Sequence, residues 1–301
     1  MPLCQRISHC QSVAMSNRKS LMKSQSEKAL VFQQLHVRDG AFIIPNPWDI
    51  GSASLLALLG FEALASTSAG YAFSRGQTDG SVGRDQMLLH LSELAAATEL
   101  PLSADLENGF GDAPEAVAET IRLAAATGIV GGSIEDASGH NTDPIYSLEL
   151  AVERVRAAAE AARGLGFPFM LTARAENYLV GRPDLNDTIK RLQAYQDAGA
   201  DVLYAPGLKT REEIAAVVSS LDRPVNVVMG LQGVQLGLKD LAEIGVKRVS
   251  VGGSLSRAAL GAFLRAAQEM RDHGTFTYSD DAVSARQIGE MFRAANKQQA
   301  T

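Results

Sequence analysis

Acidic residues gather at or just beyond the ends of apolar runs. Asp79 lies in Ser-Arg-Gly-Gln-Thr-Asp-Gly, Asp105 and Glu107 in Ser-Ala-Asp-Leu-Glu-Asn-Gly-Phe-Gly, and Glu135 and Asp136 in Gly-Gly-Ser-Ile-Glu-Asp. Burying an unpaired carboxylate is costly, so a converging set implies a cation among them. Carboxylate oxygens are hard donors and suit Mg²⁺ or Mn²⁺. Asp105 and Glu107, two apart on one strand, point to the same face, where like charges are unfavourable without a counter-ion. The same alternation turns Asp136 away from Glu135 and marks it as structural. The bland alternatives are solvated loop acids, a Glu135–Arg174 ion pair, and for Asp79 a turn acid before Gly80.

Such groups need a scaffold, and the chain supplies a repeating one. Apolar strands are expected at 41–45, 63–67, 101–106, 131–134, 169–173, 202–205, 225–228 and 248–251. Ala- and Leu-rich helices lie between them, among them 113–126, 147–163, 186–198, 211–219 and 238–244. Gly128, Gly166, Gly199 and Gly245 mark helix ends, where a left-handed cap favours glycine. Eight strands alternating with helices predict an α/β fold, a (β/α)₈ TIM-type barrel. An N-terminal helix (27–35) precedes it and an amphipathic helix (282–295) follows, packing on its own barrel or reaching a neighbour. Residues 26–301 read as one domain. Residues 1–25 form a basic, Ser-rich, acid-poor tail carrying Arg6, Arg18, Lys19 and Lys23. That tail reads as a disordered extension, an organelle-targeting segment, or a start placed ahead of Met15 or Met22.

The totals bound the partners. A net charge of -6 with no basic face argues against nucleic acid. No apolar run nears the roughly 20 residues that span a bilayer. Cys4 and Cys10 both lie in the tail, so the body has neither disulfide nor thiol nucleophile, which fits a reducing, cytoplasmic setting.

In such barrels chemistry sits at the C-terminal strand ends. There the sequence places Ser66-Thr67-Ser68, Asp105-Leu106-Glu107, Glu135-Asp136 and Arg174-Ala175-Glu176. With Pro-Asn-Pro-Trp-Asp-Ile-Gly-Ser-Ala (45–53), the 66–79 loop, Asp-Leu-Glu-Asn-Gly-Phe-Gly (105–111), Ser-Ile-Glu-Asp (133–136) and Thr-Ala-Arg-Ala-Glu (172–176), the chain resembles the isocitrate lyase/phosphoenolpyruvate mutase superfamily. The resemblance runs from about Lys28 to the C-terminus.

It implies Mg²⁺, a small 2-oxo or 2-hydroxy carboxylate, and an enolate-like intermediate. By position, Asp105 matches the acid nearest the metal and Glu135 the third acidic group. Glu107 stands where many members have aspartate, and these acids would hold the metal largely through water. Asp79 matches the acid of the loop after the second strand, and Arg174 the arginine that grips a carboxylate or oxo oxygen. Ser66, Thr67 and Ser68 would receive the substrate carboxylate, and Trp48 and Asp49 would line the pocket. The resemblance also implies a homo-oligomer, a dimer or tetramer with a C-terminal helix exchanged.

Two departures carry information. The Lys-Cys-Gly-His loop of the C–C lyases is replaced by Ala-Ser-Gly-His-Asn-Thr-Asp-Pro (137–144), which also lacks the mutases' lysine. The sixth strand ends in Tyr-Ala-Pro-Gly (204–207), where lyases have a glutamate. His140 then becomes the loop's candidate proton donor. Gly252-Gly253-Ser254, with Arg257 nearby, could form a phosphate cradle. The expectation is decarboxylation or C–C cleavage of an oxaloacetate-like acid. The alternatives are P–C chemistry on a phosphonopyruvate-like compound, or a barrel that binds a carboxylate without turning it over.

Overall fold

The structure is a computed structural model describing residues 23–231 and 235–298. A first helix, α1 (Gln25–Val37), opens on a capping box in which Ser24 and Glu27 satisfy each other's backbone N–H groups. The barrel follows as β1 (Phe42–Ile44), α2 (Ile50–Leu58), β2 (Leu64–Ala65), α3 (Ser68–Ser74), α4 (Arg84–Ala96), β3 (Leu102–Asp105), α5 (Pro114–Ala126), β4 (Gly131–Glu135) and α6 (Leu148–Arg163). It continues with β5 (Met170–Arg174), α7 (Leu185–Ala198), β6 (Val202–Tyr204), α8 (Arg211–Ser219), β7 (Val225–Val228), α9 (Leu238–Glu243) and β8 (Arg248–Ser250). Then come α10 (Ser254–His273), a short 3₁₀ turn and α11 (Ala285–Gln298).

All the strand pairings are parallel, in the order β1-β8-β7-β6-β5-β4-β3-β2. The seam between β1 and β2 is bridged where Ala65 N–H donates to the Pro45 carbonyl and Asn46 Nδ2 donates to that of Ser66. The result is a nearly closed (β/α)₈ barrel, as the strand–helix alternation predicts.

Strand alternation sorts the side chains. Leu64, Leu102, Ile134, Leu171, Leu203, Val225 and Val249 face outward into the core beneath the helices. At the N-terminal end of the barrel, α1 plugs the opening. Phe32 is fully buried there in a cluster with Phe42, Ala63, Met170 and Val202. A Cβ at Gly131 would lie 2.9 Å from the Phe32 ring, so the glycine lets the plug seat. Truncating Phe32 to alanine would cost about 3–5 kcal/mol.

The C-terminal helices differ from each other. α11 returns to its own barrel, its Phe292 ring against Gly51 of α2. On α10 only Ser256 is buried, and Leu260, Phe263 and Leu264 are exposed. No described helix is long and apolar enough to cross a membrane. The tail reading lies outside the described residues up to Met22, as do both cysteines. Its last residue, Gln25, already opens α1.

Candidate active site

A cavity of about 440 Å³ opens at the C-terminal strand ends and runs down into the barrel. Its rim gathers Ser66, Thr67, Ser68, Asp79, Asp105, Glu107, Glu135, Arg174 and Glu176. Arg174, at the end of β5, is the hub. Its Nη1 lies 2.9 Å from Asp105, its Nη2 3.0 Å from Glu135 and its Nε 2.8 Å from Glu176. One guanidinium thus serves three carboxylates contributed by β3, β4 and the segment just past β5. The Tyr204 ring lies beneath it, 5.2 Å from the guanidinium carbon.

The second strand's exit organises the other side. Asp105 N–H donates to Ser66 Oγ at 2.9 Å, fixing the end of β3. Ser68 Oγ lies 2.9 Å from both Asp79 and Asp105, and its backbone N–H donates to Asp105. With one hydroxyl proton, Ser68 can donate to only one of those acids at a time. Thr67 Oγ1 caps α3 by accepting from Gly70 N–H. The three hydroxyls, expected to receive substrate, also serve the protein: Ser66 accepts from Asp105 N–H, Thr67 caps α3 and Ser68 lies between two acids.

Glu107 reaches the rim by a different route from the one alternation predicts. β3 ends at Asp105, and Glu107 adopts a left-handed backbone with φ 50°. Strain of that kind in a non-glycine residue costs of order 1–3 kcal/mol and persists where the surroundings enforce it. Its Oε1 is buried without a hydrogen-bond partner. Burial, then the nearby Asp105 and Asp79 charges, push its carboxyl up to about 7. Burial and Asp105 likewise raise Asp79, and burial raises Glu135 well above the carboxylate range despite Arg174. Five carboxylates with one shared guanidinium leave excess negative charge, and Asp79, Glu107, Glu135 and Glu176 resist ionising there.

That excess bears on a divalent cation. Among the described residues no three His, Cys, Asp or Glu side chains converge tightly enough to enclose a bare ion. The donor set is nevertheless all oxygen, carries surplus charge, and includes the orphaned Glu107 oxygen. It fits Mg²⁺, which keeps several of its waters and is held through them.

Three expected site residues are placed elsewhere. Asp49 is exposed and is the N-cap of α2, accepting from Ser52 N–H at 2.6 Å. Trp48 does not line the cavity; its Cβ packs by Gly70. His140 is exposed, with Nε2 3.3 Å from Asp112 outside the cavity. The loop that carries it is closed on itself by an Ala137–Ile145 bridge and by Ser138 Oγ donating to the Asp143 carbonyl at 2.5 Å. The glycine cradle is also engaged: Val251 and Gly252 donate their N–H groups to Asn46 Oδ1.

Asp136 is structural. It lies between β4 and α7, accepting from Tyr195, Arg191 and the Glu176 N–H. Glu176, which the sequence places at this face, joins the rim as the third acid on Arg174, whereas sequence reading missed Asn226, Arg248 and Ser250, which line the cavity. The signal was available: a polar residue alternating with valines on a barrel strand must face the lumen.

The sequence model of the phosphoenolpyruvate phosphomutase family matches residues 32–271. A crystal structure from Burkholderia cenocepacia J2315, described as a candidate lyase/mutase, superposes with TM-score 0.88 at 65% identity, covering 89% of this chain and 97% of that one. An uncharacterised protein of Mycobacterium tuberculosis is 32% identical over 242 residues, 80% of this chain and 89% of its own. The structure of oxaloacetate acetylhydrolase in complex with its product oxalate superposes with TM-score 0.81 at 26% identity, covering 92% of this chain and 97% of that one.

Proposed function

The chain belongs to the phosphoenolpyruvate phosphomutase family, within the isocitrate lyase/phosphoenolpyruvate mutase superfamily, and on that premise we propose that it is a Mg²⁺-dependent lyase of small 2-oxo or 2-hydroxy carboxylates. The bond broken is a C–C bond at C3, by decarboxylation or cleavage of an oxaloacetate-like acid. The observation that carries this reading is the carboxylate surplus around Arg174 at the strand ends.

Mg²⁺ held through water by Asp105, Glu107 and Glu135, with Asp79 beside them, would supply the positive charge that polarises the 2-oxo group and stabilises the enolate. The remaining work falls to the chain's own groups. Three of the five Arg174 N–H groups are spent on protein carboxylates, which leaves two for a ligand oxygen. Tyr204, its hydroxyl pushed upward by burial, stays protonated and can only donate or accept a neutral hydrogen bond. In decarboxylation the C3–C4 electron pair passes into the 2-oxo group as CO₂ leaves, and a proton returns to C3 from water. In hydrolytic cleavage water adds at C2, the C2–C3 pair passes to C3 and its carboxylate, and C3 again takes a proton. The loop at 137–144 offers neither cysteine nor lysine for that step, and His140 faces Asp112. This simple proton demand favours decarboxylation or hydrolytic cleavage. Oxaloacetate acetylhydrolase, of similar fold, acts on such an acid.

P–C chemistry on a phosphonopyruvate-like compound is the second reading, favoured by the family model itself. The test is loss of oxaloacetate with Mg²⁺ and with a chelator, alongside a ³¹P NMR assay on phosphonopyruvate. Mg²⁺-dependent oxaloacetate loss supports the lyase, and a new phosphorus resonance supports the alternative. No turnover across a panel of 2-oxo and 2-hydroxy diacids, with oxalate still bound, would leave a barrel that binds without catalysing. For assembly, the exposed Leu260, Phe263 and Leu264 on α10 support a homo-oligomer that covers this face by helix exchange. A monomer in sedimentation would overturn it.

A further inference from the structure

The cavity does not end at the acidic rim. TIM-type barrels are normally filled by layers of branched apolar side chains. Here the cavity lining includes Ser103, Ser133 and Ser250, with Asn226 and Arg248, beside the apolar Ile44, Ala65 and Val228. Arg248 opens β8 and is 5% exposed. Its Nε donates to Asn226 Oδ1 at 2.8 Å, its Nη2 to Thr172 Oγ1 at 2.9 Å, and its Nη1 lies 3.4 Å from His36 Nε2 on the plug helix. All three partners are neutral. His36 stays neutral because burial, then the Arg248 charge, push its imidazole down to about 3.

No carboxylate among the described residues pairs with Arg248. Burial pushes its guanidinium down to about 10, and the neutral Tyr204 phenol nearby supplies no full negative charge to offset it. Removing a partner from a buried charge is strongly destabilising, so a lone buried guanidinium facing a cavity is a costly feature to keep. Two of its five N–H groups remain without an acceptor among the described residues. The cavity is therefore polarised: surplus carboxylate at the rim, an uncompensated cation at the floor.

We propose that Arg248, with Asn226 and Ser250, forms an oxyanion subsite at the floor of the cavity that takes the distal carboxylate or phosphonate of the substrate. This rests on the reading of the rim as the site of the 2-oxo or 2-hydroxy head. A diacid would then lie along the barrel axis, its head at the rim and its tail neutralising Arg248. A monoacid would leave that cation buried and unpaired. Selection for a second anionic group would come from the floor rather than from the loop at 137–144. The other unpaired cation of the cavity, Arg257, sits exposed at the mouth, its Nη2 3.4 Å from the Gly230 carbonyl, and is the natural competitor.

The experiment is equilibrium binding in the presence of Mg²⁺ of three ligands that share a head and differ only in the tail: 2-hydroxybutanoate, malate and 2-hydroxy-3-phosphonopropanoate. Oxalate, which has no tail, serves as the head control. The unmodified protein should bind one or both anionic tails at least tenfold more tightly than 2-hydroxybutanoate, and the tighter of the two identifies carboxylate or phosphonate. Arg248→Met should erase that preference while oxalate binding stays within threefold, and Arg257→Gln should leave the preference intact. A purely structural Arg248 would instead lower the melting temperature and weaken all four ligands alike. If Arg248→Met does not fold, the wild-type preference and its survival in Arg257→Gln decide the matter. Bound oxalate with no tail preference overturns this inference alone, as does a preference lost in Arg257→Gln. Oxalate that does not bind overturns the rim reading, and this inference with it.

Discussion

Two arginines project into the same cavity from β5 and β8, and the chain surrounds them in opposite ways. Arg174 is shared by Asp105, Glu135 and Glu176, each within 3.0 Å. Arg248 is held by an amide, a hydroxyl and an imidazole, with no carboxylate among the described residues. At the rim the uncompensated charge is negative, and at the floor it is positive. Both strands are apolar on their outward faces and obey the same alternation. The difference therefore lies in what the lumen must receive: positive charge at one level and negative charge at the other.

Removing the rim hub should have the largest effect. Arg174→Met leaves the buried Glu176 and the half-buried Asp105 and Glu135 without their cation and is expected to destabilise the fold by about 3–5 kcal/mol at neutral pH. Denaturant titration at pH 5 should show a smaller loss, because the raised carboxyls are then protonated. An equal loss at both pH values would contradict the charge argument.

The floor should respond to pH in the opposite sense. The His36 imidazole titrates near 3 in the fold against about 6.5 when free, so the unfolded chain binds more protons between those values. Stability from this group is present above pH 6.5 and falls as the pH drops. About 2–3 kcal/mol should be gone by pH 4.5. His36→Gln, which cannot titrate, should flatten that slope, and an unchanged slope would show that His36 is not its source.

A weaker effect of the opposite sign is expected at Glu107. Its carboxyl titrates near 7 in the fold against 4.5 in the free chain, so the folded state holds the proton more tightly in that window. Stability is therefore lost as pH rises from 4.5 to 7. Glu107→Gln should recover about 1–2 kcal/mol at pH 8, an amount reduced by its partial exposure to solvent. The smallest effect is expected at His140, whose partner Asp112 lies on the surface. His140→Ala should change stability by about 0–1 kcal/mol and turnover by less than about threefold. A hundredfold loss of turnover would move the loop histidine into the chemistry.

Much of this architecture is legible in the sequence. Short apolar runs ending in polar residues, separated by glycine-capped helices, locate all eight strands to within two residues at each end. The acids that meet at the rim were visible because they terminate those runs. What was less legible had local causes. Glu107 lies past its strand, in a left-handed turn that alternation does not describe. Asp49 begins an Asp-x-x-Ser helix cap, a signal that competes with any pocket role. Asn226 and Arg248 alternate with Val225, Val227 and Val249, which face the helices, but they lie inside or at the start of their strands and not at the ends where the acids stand out. Asn46, which bridges the seam to Ser66, is itself held by Val251 and Gly252, more than 200 residues away in the chain.

The central claim is that the rim's surplus carboxylates form a platform for Mg²⁺, and calorimetric titration of oxalate with and without the metal tests it most directly. The account predicts oxalate binding that requires Mg²⁺ in the unmodified protein and disappears in Asp105→Ala. Oxalate binding that persists without the metal, or that Asp105→Ala leaves unchanged, would contradict it.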